Sequence, residues 1–382
     1  MAPNPTQSSA ELVSLHRVPD RAYRGRMNPI AAARASKTIA LIVSAAWVYA
    51  LYIGLLTLGL RFELLQGDAV LYWRESFQLA APYSTWWVPG YPFILALIRA
   101  ATRGTLPPAA VMVIVSGTCY LIGVAAVRAL AEQSGLKQPE KVALLFAVFP
   151  FTGLAYSVWP IADSTAVACC LLSQLSFERR RWRSFALCAA CALMVHKAMW
   201  FFIPGLILIA AIKHKESRRF LPWAVVPLAT WIVAGAIHYR DALWFIRWGI
   251  EHLVVSRSVL PVFDGLIGPF LTGELTKILK GLLILGIAGA AAVTLVQSYR
   301  RGNWVGISTA ATLIFLALIM NQYEVWVVVR FGKLLIIPLV FAASQFTMWH
   351  RVLENRVAFG ALVTASVATN VAFSYYMVQF FS

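Results

Sequence analysis

Three observations predict an all-α polytopic membrane protein with about eleven transmembrane helices. The 382-residue chain is 60% hydrophobic and only 13% charged, about half the charged share of ordinary soluble domains. Its mean hydropathy is +0.72. Apolar runs of about 17–25 residues recur along most of the length, each long enough to cross a hydrocarbon core of about 30 Å. A soluble chain this long would divide into two or three domains. Here the spans are expected to pack as one membrane domain over residues 37–382.

The chain opens on a polar stretch, residues 1–36, with Arg17, Arg21, Arg24, Arg26 and Arg34 against Glu11 and Asp20. That composition predicts a disordered basic cytoplasmic tail. A secretory signal would place a short apolar core near the start, before a small-residue cleavage site. The first apolar run instead begins at residue 38 and continues to about 60, as a retained anchor would.

Spans follow near 38–60, 107–129, 142–158, 163–177, 184–198, 199–212, 221–239, 277–297, 304–320, 325–347 and 357–380. With the N-terminus inside, "VRALAEQSGLKQPEK", "ERRRWR", "KHKESRR", "SYRRG" and "HRVLENR" all fall on the cytoplasmic side, as the positive-inside rule requires. The net charge of +17 therefore belongs to membrane topology. Membrane lipids are the expected partner and nucleic acid is not. This threading holds only if "GYPFILALIRAAT", residues 90–102, does not cross. Thirteen residues suit a re-entrant or interfacial helix better than a span.

The carboxylates distribute the other way. Glu63, Asp68, Glu75, Asp163, Asp241, Glu251, Asp264, Glu274 and Glu324 fall on the outer side or at outer span ends. Two outer loops are long, 61–106 and 240–276, and loops beyond about 12–15 residues tend to be functional. Each holds an amphipathic helix candidate opening on Asp, "DAVLYWRESFQLA" and "DALWFIRWGIEHLVV". The aspartate suits a helix N-terminus, and the mixture of aromatics and charges suits an interfacial helix.

The order of these motifs resembles the GT-C superfamily of integral-membrane glycosyltransferases. "GDAVLYW", with Tyr72 four residues after Asp68, resembles the acidic motif of the family's first outer loop. "WVPGYPFILALIRAAT" resembles the juxtamembrane Pro-Gly-Tyr-Pro segment of bacterial sugar transferases. The block from "VALLFAVFPFTGLAYSVWPIADSTAV" through "ERRRWR" to "VHKAMWFFIPGLIL" resembles the centre of PIG-V-like mannosyltransferases and of aminoarabinose and protein mannosyltransferases. The resemblance covers residues 38–212. Departures from the pattern are "HKA" where the family often has Arg-Pro or Thr-Lys, "WPIADS" in place of Tyr-Ser-Glu-Ser, and one first-loop acid rather than an acid-x-acid pair. A divalent metal takes several oxygen ligands, so no metal is indicated and no cofactor is expected.

The resemblance implies a GT-C-like helical bundle with interfacial helices in the first outer loop. It also implies transfer of a sugar, such as a mannose-type hexose, from a polyprenyl-phosphate donor. The acceptor would be a lipid, glycan or protein outside the membrane, and a single base would give an inverting displacement. Asp68 would be the base for the acceptor hydroxyl; its alternative is a helix N-cap. Arg330 and Lys333, three apart and on one helix face, would bind the phosphate, since charges within a span are functional candidates. His196 with Lys197, and His238 with Arg240, lie at outer span ends as phosphate or acceptor contacts, or as interfacial anchors. Asp163 is either an N-cap after the proline turn or a group that binds the acceptor or orients a cation. "YSTWW", Tyr83 to Trp87, suits a sugar platform or an aromatic interfacial belt.

Cys119, Cys169, Cys170, Cys188 and Cys191 all fall inside apolar spans, where Cys188-x-x-Cys191 reads as small-residue packing. No Walker loop, dinucleotide fingerprint, zincin motif or Gly-x-Ser-x-Gly is present. A second class of function is a non-enzymatic carrier or flippase of lipid-linked sugars, or an inactive member of the same fold. A transporter places its essential charges near the bilayer midplane. The outer-surface acids favour the enzyme. Short loops and an Ala/Arg-rich composition suggest a bacterial inner membrane.

Overall fold

The computed structural model describes residues 29–65, 67–78, 88–148, 161–247, 273, 275–319 and 347–381. The chain divides into two compact units, Met1–Ala40 and Leu41–Ser382. In the first, residues 29–40 are the opening of a helix. The second holds the remaining helices. Among the described residues all regular structure is helical.

Helix α1 (Pro29–Gly54) starts on a proline, whose fixed φ and missing N–H suit a first helical position. It runs into a π-helical turn, Leu55–Gly59. Two short helices follow, α2 (Asp68–Glu75) and α3 (Gly90–Ala101). Next come α4 (Pro108–Gln133) and α5 (Pro139–Val148). An antiparallel hairpin, α6 (Asp163–Glu178) and α7 (Trp182–Val195), turns through residues 179–181. After it stand α8 (Met199–Lys213), α9 (Leu221–Tyr239), α10 (Leu275–Arg300) and α11 (Trp304–Ile319). The chain closes with α12 (Thr347–Glu354) and α13 (Arg356–Phe381).

Two apolar cores position the candidate site. One gathers α2, α3, α4, α6, α7 and α8 around Tyr72, Tyr91, Leu95, Met112, Phe185 and Met199. The other joins α1 to α4, α5 and α6 through Tyr49, Tyr120, Val124, Phe146 and Leu171. Small residues permit the close approaches such cores need. Tyr49 stacks on Tyr120 at 5.4 Å because Gly117 leaves room for its ring, where a Cβ would come within 2.8 Å. The hairpin's closed end is sealed by Phe177, Trp182 and Phe185, with His214 lying 4.8 Å from the Trp182 ring.

Several sequence expectations are refined. Among the described residues, three helical stretches are both long and apolar enough to cross a membrane: Ala35–Gly59, Pro108–Gln133 and Leu221–Tyr239. Gly90–Ala101, Trp182–Val195, Met199–Lys213 and Arg356–Ala372 are apolar but shorter. The membrane class therefore rests on apolar helices, and eleven spans is a finer statement than these lengths support. The "GYPFILALIRAAT" segment forms the 12-residue helix α3, about 18 Å long, well short of a span.

The span expected over 184–198 ends at Val195, where His196 turns extended. The backbone N–H of Ala198 donates to His196 Nδ1 at 3.1 Å, a local bond that competes with helix continuation. The alternative of Asp68 as an N-cap is also corrected. Asp68 is the first residue of α2, and the cap is Gly67 at φ 52, ψ −125, a conformation open mainly to glycine. An acid in the first turn still suits the helix dipole.

Candidate functional site

The site is built where three segments distant in sequence meet the turn between α7 and α8. The first is the approach to α3. Gly90 packs so tightly against the end of α7 that a Cβ would lie 2.4 Å from the Met194 carbonyl oxygen. Only glycine lets one backbone approach another this closely. The Pro-Gly-Tyr-Pro sequence is thereby fixed beside His196. Its next residue, Tyr91, is fully buried.

Tyr91 meets the Tyr72 ring edge-on at 5.0 Å, so α2 is docked through the aromatic residue one helical turn beyond Asp68. Asp68 and Tyr72, four apart, share a face of α2. Asp68 is half-buried while Tyr72 is buried. The far end of α2 is clamped by Arg99 of α3. Its guanidinium donates to the Ser76 carbonyl at 3.1 Å and Ser76 Oγ at 3.3 Å, and stacks 3.5 Å over Phe77. The amphipathic helix expected at the start of the first long loop is thus an ordered element held at both ends.

The second segment is α6, which opens on Asp163. The Asp163 side chain is 3% exposed, and its Oδ1 lies 3.7 Å from His196 Nε2. Because His196 Nδ1 accepts from the Ala198 N–H, the neutral imidazole carries its proton on Nε2, directed at the carboxylate. Around this pair lie Tyr91, Ser116, Cys119 and Thr165. Burial raises the Tyr91 phenol well above its ordinary value; Ser116 opposes that shift, and Cys119 and the Asp163 carboxylate add to it. Ser116 and Thr165 belong to no motif of the sequence, Tyr91 enters it only within Pro-Gly-Tyr-Pro, and Cys119 only as a cysteine inside an apolar span. Their signal was polar or phenolic groups within otherwise apolar helices.

The third segment follows α9. Trp244 is 1% exposed and lies across α9 at Gly235, where a Cβ would meet the indole at 2.0 Å. Its Nε1 donates to the Ile232 carbonyl at 2.9 Å, and it packs with Trp231 and with Val88 from the first loop. Asp241 starts this fold-back by accepting from the Leu243 N–H at 3.0 Å and pairing with Arg247 at 2.7 Å. The following carbonyl, of Phe245, accepts from Lys197 Nζ at 2.8 Å. Burial lowers the Lys197 ammonium to about 8, in a turn outside both neighbouring helices. Of the second amphipathic helix, residues 244–247 are helical and the remainder lies outside the described residues.

Among the sequence-predicted site residues, Asp163 and His196 are brought into contact. Tyr72 joins them through Tyr91, and Asp68 stands one turn from Tyr72 on the same helix. Lys197 is spatially next to this group but is engaged by Phe245. His238 and Arg240 are exposed at the end of α9, where the His238 ring meets Tyr239 at 4.8 Å. Arg330, Lys333 and the Tyr83–Trp87 tract lie outside the described residues. The chain matches no protein-family model, and no curated protein matches it.

Proposed function

We propose that the protein is a GT-C-type glycosyltransferase that moves a sugar from a polyprenyl-phosphate donor to a lipid, glycan or protein acceptor on the outer membrane face. One observation carries this reading. The first-loop helix bearing Asp68, the Pro-Gly-Tyr-Pro segment and the Asp163–His196 end of the central hairpin converge, although they span well over a hundred residues of sequence. These are the motifs on which the resemblance rests, and a shared site is what that resemblance requires of them.

In this reading Asp68, half-buried at the start of α2, takes the proton of the acceptor hydroxyl. Asp163 is too buried to meet a substrate directly; it orients His196, whose imidazole faces the reacting groups. Lys197 supplies positive charge for the departing phosphate, and Arg330 and Lys333 are assigned to the same phosphate. A single base predicts inversion at the anomeric carbon. The test supplies membranes containing the chain, and matched membranes lacking it, with radiolabelled polyprenyl-phosphate sugars. Label appearing in a new acceptor only with the chain supports transfer. Label that crosses the bilayer still attached to its polyprenyl carrier would replace the enzyme with a carrier.

A further inference from the structure

Helix α8 is held on one side by α11. Gly205 leaves room for the Ser308 side chain, which a Cβ would strike, and Thr312 Oγ1 donates to the Phe201 carbonyl at 3.2 Å. Helix α9 packs instead along α7. The two helices therefore part, and a groove of about 550 Å³ opens between them. Trp200, Pro204, Leu208 and Ala211 form one wall from a single face of α8, and Val225 and Leu228 of α9 stand in the other. All of these side chains are apolar, and Trp200 Nε1 is committed to the Leu193 carbonyl at 2.9 Å. Such a groove retains a hydrocarbon chain and offers a polar ligand no compensation for its lost water.

Length and charge define the ligand. From Trp200 to Ala211 the α8 wall runs about 16 Å at 1.5 Å per residue, the depth of one leaflet in a hydrocarbon core of about 30 Å. The Ala211 end meets the turn into α9, which carries Lys213, Lys215, Arg218 and Arg219. Arg218 Nε donates to the Ala211 carbonyl at 2.8 Å, so the guanidinium is fixed at the mouth of the groove through one of its five N–H donors. Arg219 and Arg183, at the start of α7, both lie over the Phe220 ring, at 4.6 and 5.5 Å. The acid of this turn, Glu216, lies 3.9 Å from His214. At the opposite end of the groove stands Lys197, engaged by the Phe245 carbonyl. Basic pockets between membrane helices on the cytoplasmic side bind anionic lipid headgroups.

We propose that the α8–α9 groove is a binding site for an anionic glycerophospholipid. One acyl chain lies along Leu208 and Val225, and the headgroup phosphate pairs with Arg218 and Arg219. Positive-inside threading assigns this lipid to the cytoplasmic leaflet. Its headgroup sits at the far end of α8 from His196 and Lys197, so the site does not rest on the transfer reaction. Bound there, the lipid closes a gap that the side chains of α8 and α9 leave open.

The test uses the full chain in detergent micelles, stripped of lipid. Phosphatidylglycerol or phosphatidylcholine with identical acyl chains is added back, and retained lipid is counted by native mass spectrometry. Wild type is expected to retain one phosphatidylglycerol and to bind it more tightly than phosphatidylcholine, with the preference falling as salt rises. Arg218→Gln is expected to weaken phosphatidylglycerol about fivefold and to leave phosphatidylcholine unchanged. Leu208→Trp, at a side chain 60% exposed, fills the groove and should abolish retention of both lipids. Val371→Trp, on α13 and 49% exposed, should change neither. Retention of no lipid by the wild type, or equal binding of the two, overturns the proposal without any variant having to fold. So does phosphatidylglycerol that stays bound to Leu208→Trp, or a polyprenyl phosphate that displaces it from the wild type and is indifferent to Arg218→Gln.

Discussion

Gly90→Ala is the sharpest test of how the site is assembled. An alanine Cβ at this position lies 2.4 Å from Met194 O, 2.6 Å from Met194 C and 3.0 Å from Val195 N, whereas ordinary contact begins near 3.4 Å. The obstacle is backbone on both sides, so no side chain can rotate away. Relief requires the start of α3 to move by about 1 Å from the end of α7. Such overpacking costs about 1–3 kcal/mol, offset by at most about 1 kcal/mol of better helix propensity. The displacement falls between Tyr91 and His196, so transfer should drop further than stability alone explains. Equilibrium unfolding in mixed micelles, followed by tryptophan fluorescence, reads the first effect, and donor turnover reads the second. Gly360→Ala is the control: nothing lies within 4 Å of its Cβ, and it should be neutral or stabilising. If Gly90→Ala were as stable and as active as the wild type, the close backbone approach would be refuted.

Two other predictions concern the third segment. Trp244→Ala empties a fully buried indole site and should destabilise the protein by about 3–5 kcal/mol in the same unfolding measurement. An unchanged midpoint would mean that the segment after α9 does not fold back onto Gly235. Lys197 makes a pH prediction of defined sign. Its folded pKa is lowered to about 8 by burial, from an ordinary 10.5, so between these values the unfolded state binds more protons. Stability attributable to Lys197 should therefore be constant below pH 8 and rise between pH 8 and 10.5. Donor binding that depends on its charge should weaken through pH 8. Lys197→Met should remove both dependences, as titrations of unfolding and donor binding will show.

Much of the helical architecture was legible because hydropathy and length are local properties. The shortness of α3 could be read from thirteen residues between Pro89 and Arg103, and Asp163 does begin a helix, as the first residue after an Ala162 cap and not as the cap itself. What could not be read were the pairings. Asp163 meets His196 only because α6 and α7 form an antiparallel hairpin with a three-residue turn, and one-dimensional spacing carries no such register. Lys197 read as a cation at a span end, and its commitment to the Phe245 carbonyl depends on Trp244 settling against Gly235. His238 and Arg240 shared that span-end signal, yet the end of α9 leaves them exposed. Tyr91 was visible within Pro-Gly-Tyr-Pro, but its proximity to Asp163 follows from a glycine contact that no propensity encodes.

The central claim, that the first-loop helix supplies the base for sugar transfer, is tested most directly by Asp68→Asn. The measurement is the rate of label transfer from a polyprenyl-phosphate sugar in membranes holding equal amounts of variant and wild-type protein. Loss of a positioned general base predicts a fall of about 10²–10⁴-fold, with Asp163–His196 and the α2–α3 contacts intact. Transfer by Asp68→Asn at the wild-type rate would contradict the account.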